Sequence, residues 1–131
     1  MSRDLIDAAK AARQKAYAPY SRFLVGAAVR DEQGRVFGGC NIENAAYPQG
    51  WCAEPSAISA MIMAGGRRIT EMAVIGGGEG LCTPCGGCRQ KIREFAESDV
   101  RIHVCGEDGT VRRSFTLDEL LPFSFGPDHL K

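Results

Sequence analysis

The stretch Met72-Ala-Val-Ile-Gly-Gly-Gly-Glu-Gly-Leu-Cys-Thr-Pro-Cys-Gly-Gly-Cys-Arg-Gln-Lys-Ile-Arg-Glu-Phe-Ala-Glu-Ser-Asp-Val-Arg-Ile-His-Val-Cys105 decides the fold. Met72 to Gly76 reads as a buried strand, and a glycine-rich loop then leads to Pro84-Cys85. Gln90 to Ala96 follows a helical period with Ile92 and Phe95 inward, and Val100 to Cys105 reads as a second strand. Strand, helix and strand in this order predict an α/β protein.

The flanks agree with that reading. Toward the C-terminus a last short strand and helix are expected to reach Leu121. Upstream, Cys52 to Ala64 is helical, with Ile58, Met61 and Ile62 on one face and Gly65-Gly66 closing it. Val25 to Arg30 and Arg35 to Cys40 flank Asp31-Glu-Gln-Gly34, whose glycine supplies a positive φ, so an antiparallel hairpin is predicted and the sheet is mixed. Arg3 to Tyr17 places Leu5, Ile6, Ala9, Ala12, Ala16 and Tyr17 near one side of a helix that Pro19 ends. No repeat, linker or low-complexity segment interrupts the chain, and residues 1–131 are expected to form a single domain.

Composition narrows the function classes. The 16 Lys+Arg balance 16 Asp+Glu, so no basic stripe invites a long polyanion, and nucleic acid is not an expected partner. No window is apolar for the roughly eighteen residues a membrane helix needs, and the first residues carry no signal-peptide apolar stretch. A cytoplasmic protein without a membrane partner is expected. In a reducing compartment, clustered cysteines more often bind metal or do chemistry than form disulfides.

Among the 6 cysteines, Cys52-Ala53-Glu54 stands at the start of one predicted helix and Pro84-Cys85-Gly86-Gly87-Cys88 at the start of another. Zinc ligands converge from separate elements in this way, and helix N-termini favour thiolates. Three protein ligands leave a fourth position open, the mark of a catalytic ion. Glu54, two residues past a ligand, is placed to move protons to and from water there, where the plainer reading is a solvated surface carboxylate. A lone C-x-x-C also suits a redox dithiol or a structural knuckle. Cys82 three residues before Cys85 leaves a closed four-thiolate site open, whereas an iron–sulfur reading asks for Cys-Pro where Ile92-Arg93 stand. Cys40, Cys82 and Cys105 otherwise read as small apolar fillers. The glycines of residues 76–80 lack a phosphate-loop pattern and read as turn chemistry.

With both cysteine motifs in view, the chain resembles the small, homotetrameric cytidine deaminases that act on free nucleosides. The likeness also rests on Pro19-Tyr20-Ser21, Phe23, Gly39-Cys40-Asn41-Ile42-Glu43-Asn44-Ala45 and Leu120-Leu121-Pro122-Phe123-Ser124-Phe125-Gly126-Pro127. It implies a three-layer α-β-α fold around a mixed sheet of about five strands, and one Zn²⁺ per chain held by Cys52, Cys85 and Cys88. It further implies the scheme of the zinc deaminase class: hydroxide attacks C4 of cytosine while Glu54 serves as base and then acid, giving uridine and ammonia.

By the same resemblance Asn41 and Glu43 grip the ribose. Two residues apart in extended chain, they share a face, although a polar strand end would look the same. Phe23 corresponds to the ring-stacking residue, while Ala53 and Tyr47 line the substrate pocket. Phe125 corresponds to an aromatic that completes a neighbouring subunit's site, so the active sites would be shared across the tetramer. One departure stands out: many relatives carry Arg after Cys-Ala-Glu, where this chain has Pro55. Three thiolates and one Zn²⁺ sum to a net negative charge, so Arg89 and helix amides are expected to compensate. A deaminase acting on an aminopyrimidine antibiotic such as blasticidin S is the nearest rival, and the Asn41–Glu43 pair speaks against it. A non-enzymatic zinc module would need Cys82 as a fourth ligand and leave Glu54 idle.

Overall fold

A computed structural model describes residues 2–131 of the chain. A helix, α1 (Arg3–Arg13), precedes the hairpin β1 (Gly26–Asp31) and β2 (Val36–Cys40). Helix α2 (Ala53–Met63) leads to β3 (Ile69–Ile75), and helix α3 (Gly86–Phe95) joins it to β4 (Ala96–Cys105). The chain closes with β5 (Val111–Thr116), the single-turn helix α4 (Leu117–Leu120) and a 3₁₀ turn at Pro127–Leu130.

The five strands form one sheet in the order β2-β1-β3-β4-β5. Only β3 and β4 run parallel, and α3 is the crossover such a pair requires. The other pairs are antiparallel, so the sheet is mixed as expected. Gly34 at the hairpin tip has φ 83°, a conformation that a Cβ disfavours.

Period-two alternation gives the sheet two buried faces. On one, Leu5, Ile6 and Ala9 of α1 pack against Ala28, Ala73, Ile75 and Cys105. On the other, Ala57, Ile58 and Met61 of α2 and Ile92 of α3 cover Ala27, Val29, Met72, Val74, Ile102 and Val104. These are the three layers. Gly39 of β2 lets α2 ride directly on the sheet, since a Cβ there would strike the backbone of Ala53, Ser56 and Ala57. That contact fixes where the first turn of α2 stands.

Several boundaries differ from the sequence expectations. The first helix stops at Arg13, because Tyr17 is drawn out to pair with the chain beyond β2: its N–H donates to Asn41 O at 3.0 Å and its C=O accepts from Glu43 N at 2.8 Å. Helix α3 begins at Gly86, four residues before Gln90, because two glycines conceal a helical turn that propensity disfavours. Ala96 belongs to β4, which starts earlier than Val100, and β3 likewise starts at Ile69. No helix among the described residues is long and apolar enough to cross a membrane.

Candidate metal centre

The N-termini of α2 and α3 converge on the same edge of the α2–α3 layer. Cys52 is the N-cap of α2 and Cys85 the N-cap of α3, both in extended conformation, and Cys88 follows in the first turn of α3. The ligand atoms of these three cysteines lie within 4.8 Å of one another, with the Cys85 and Cys88 sulfurs 3.3 Å apart. Cys88 is buried while Cys52 and Cys85 are exposed, so the cluster is closed behind and open in front. Cys82 stands outside the cluster, which removes the closed four-thiolate arrangement.

Electrostatics differ among the three thiols. Burial pushes Cys52 and Cys88 above the ordinary thiol range, and the Glu54 charge adds to both. At Cys85 burial acts upward too, but the Cys88 backbone amide and the neighbouring thiols outweigh it and bring the group below that range. Glu54 is only 4% exposed, and burial raises its carboxyl above the usual value despite Lys91 acting the other way. A site of three sulfur donors, open on one side, with helix amides pointing at it and a buried carboxylate alongside, fits a zinc ion with one free position.

Beside the cluster lies a cavity of about 160 Å³ lined by Val25, Asn41, Cys52, Ala53, Glu54, Cys82, Thr83 and Cys85. A second recess of about 370 Å³ is lined by Tyr20, Ser21, Glu43, Asn44, Tyr47 and Gly50. Of the expected substrate-contacting residues, Asn41 and Ala53 stand with the cysteines and Glu43 and Tyr47 in the recess, while Phe23 lines neither space.

Asn41 and Glu43 do face one side, and both clamp the segment that carries Phe23. The Asn41 amide accepts from Val25 N at 2.9 Å and donates to Phe23 O at 2.9 Å. Glu43 accepts from Tyr20 N at 2.9 Å, from Ser21 N at 3.1 Å and from the Ser21 hydroxyl, and these bonds, the hydroxyl's foremost, hold its carboxyl below the usual range. Phe23 is half-exposed and lies against Gly76 and Gly77. Phe125 is outside both spaces: its carbonyl accepts from Gln90 Nε2 at 2.8 Å and its ring stacks on His129 with centroids 5.0 Å apart.

Arg89 does not meet the sulfurs with its hydrogen bonds. Its guanidinium donates to Pro84 O at 2.7 Å, Leu120 O at 2.8 Å and Thr83 Oγ1 at 3.1 Å, bracing the loop that delivers Cys85. These bonds give Arg89 a positional part as well, beside the charge it carries one residue past Cys88. Sequence reasoning also passed over Val25, Cys82 and Thr83 as cavity walls and Tyr20 and Ser21 as Glu43 partners. Tyr20 and Ser21 stand in the Pro19-Tyr20-Ser21 motif and Cys82 in the cysteine run, but these roles depend on contacts across the fold.

Fold and site together define a thiolate-liganded, zinc-type centre at paired helix N-termini over a mixed sheet. Residues 1–104 match the family described as "Cytidine and deoxycytidylate deaminase zinc-binding region". A protein named cytidine deaminase from Sporosarcina psychrophila is 40% identical over 126 residues, covering 96% of this chain and 92% of its own. The crystal structure of cytidine deaminase from Burkholderia pseudomallei superposes with TM-score 0.88 at 43% identity, over 95% of this chain and 99% of that one. That of cytidine deaminase from Mycobacterium tuberculosis gives TM-score 0.82 at 39% identity over 94% and 95%. The chain belongs to the zinc-binding cytidine deaminase family.

Proposed function

We propose that residues 1–131 act as one catalytic domain that hydrolyses cytidine and 2′-deoxycytidine to uridine and 2′-deoxyuridine, releasing ammonia. The observation that carries this reading is the convergence of Cys52, Cys85 and Cys88 beside the buried Glu54. When bound, one Zn²⁺ per chain supplies the Lewis acidity that makes water a nucleophile at neutral pH. Glu54 takes a proton from the attacking water, gives one to N3 of the ring, and carries the hydroxyl proton to the departing amine as the C4–N bond breaks, in the scheme known for zinc deaminases as a class. Burial suits that double duty, because it keeps the carboxylate out of bulk water beside the cysteine cluster.

Phe23 stacks on the base and Ala53 borders it, while Asn41, Glu43 and Tyr47 hold the sugar. Asn41 and Glu43 would then act on the ribose and on the 20–25 segment at once, since each keeps acceptor or donor capacity beyond the bonds it makes. Phe125, remote from its own chain's cavity, completes the site of a neighbouring copy in a cytosolic homotetramer. The exposed Tyr17, Ile42, Trp51, Met63 and Phe123 support burial against other copies.

The test is an absorbance assay on cytidine and deoxycytidine with parallel ammonia release, zinc analysis and light scattering. Turnover with one zinc per chain in a tetramer is the expected result. A zinc-loaded protein inert toward both nucleosides defeats the reading, and a fully active monomer defeats the shared site.

A further inference from the structure

We propose that Cys82 is a specificity-determining residue, a fixed wall that sets how much room the cavity leaves beside the pyrimidine ring. The proposal rests on the function proposed above. Cys82 lines the cavity with Asn41, Ala53 and Glu54 yet is not one of the clustered thiols, so its side chain is free of metal-holding duty.

What gives the wall its rigidity lies behind it. An ideal Cβ on Gly76 would stand 2.5 Å from both Cβ and Sγ of Cys82 and 3.2 Å from the Phe23 ring. The glycine at the end of β3 is therefore the seat on which Cys82 and Phe23 both rest. No slack remains on that side, because the seat is backbone extending a central strand of the sheet. Volume added at position 82 cannot go toward Gly76, and the cavity of about 160 Å³ borders the side chain elsewhere, so added volume narrows it and removed volume enlarges it. Close-packed interiors respond to a single methyl group in this way.

The consequence is discrimination among substituted rings. One methylene in an apolar pocket changes relative kcat/KM by about tenfold or more. Cys82→Val should lower kcat/KM for 5-methylcytidine or N4-methylcytidine, relative to cytidine, by about tenfold, and Cys82→Ala should raise the same ratio. Gly76→Ala, which pushes the wall forward from behind, should act in the direction of Cys82→Val. The experiment compares these ratios in zinc-loaded wild-type and variant proteins, with zinc content and thermal melts run beside them. A general loss of packing would lower all rates together, whereas a wall changes their ratio. An active wild type whose ratios stay within about twofold in both Cys82 variants overturns the inference alone. A wild type that does not deaminate cytidine defeats the function it rests on, and the inference with it.

Discussion

Helix α4 finishes its own N-terminus, whereas α2 and α3 leave theirs open. At α4 the Thr116 hydroxyl accepts from Glu119 N at 3.2 Å and the Glu119 carboxylate accepts from Thr116 N at 2.8 Å, a reciprocal box that satisfies a helix of four residues. At α2 and α3 the cap positions are cysteines, so no cap oxygen closes either terminus, and at α3 the Cys88 amide acts on the Cys85 sulfur instead. The first-turn amides and the dipole are left to favour negative sulfur. A capping group stabilises a helix by about 1 kcal/mol, so the two open termini give up stability locally and gain a place where thiolates and an ion are held. The tightly bonded region is structural, and the open one is where the chemistry is expected.

The contrast can be broken at several strengths. The largest effect is expected at Glu54→Gln, which should keep zinc while kcat falls by about 10² to 10⁴-fold. Substantial turnover in that variant would remove Glu54 as the proton carrier. Next comes Cys52→Ser. The wild-type melting temperature should drop when zinc is chelated, while the variant should melt at one temperature with or without chelator. Because serine is a good cap, metal-free Cys52→Ser should equal or exceed metal-free wild type by about 0.5–2 kcal/mol. A variant less stable than the metal-free wild type would show that the open terminus carries no such cost.

At the closed terminus the loss should be smaller and indifferent to metal: Thr116→Ala should cost about 1 kcal/mol in urea titrations, equally with and without zinc. The hairpin turn offers an effect set by pH instead of by metal: Asp31 is buried and accepts from Gln33 N, Arg35 N and the Arg35 guanidinium, so the loss on Asp31→Asn is present at neutral pH and shrinks in acid. Burial acts to raise its pKa, but these bonds outweigh it and hold the carboxyl below the ordinary 3.8. A depressed carboxyl stabilises the fold above its unfolded value and loses that contribution as pH falls through the folded one. Acid melts below about pH 4 should therefore show a steeper decline for wild type than for Asp31→Asn.

Much of this was legible beforehand where the signal is local. The hairpin around Gly34, the apolar face of Ile58 and Met61, and the strand ending at Cys105 all follow from period and turn chemistry, and each stands where expected. The misjudged ends share one cause. Tyr17 leaves a helical pattern to pair with Asn41 and Glu43, and Gly86-Gly87 enter a helix that their propensity resists, because in both places tertiary contacts outweigh a few tenths to about 1 kcal/mol of local preference. The same holds at the site: Asn41 and Glu43 face one side as alternation requires, but only the folded chain reveals that they hold the Phe23 segment.

The sequence by itself determined the chemistry available to this protein. Cys85 and Cys88 share one helical turn, and Cys52 and Glu54 share another, so side-chain type and spacing name the donors and the carboxylate without any knowledge of the fold. Tertiary structure decided which of the cysteines meet. Gly39 seats α2 on β2, Arg89 braces the loop entering α3, and the β3–α3–β4 crossover brings the two turns together, leaving Cys82 in the wall and Phe125 bonded to Gln90 of α3 outside the cavity. Periodicity specifies direction within one element, whereas convergence depends on packing between elements, and packing is not written in any short stretch of chain.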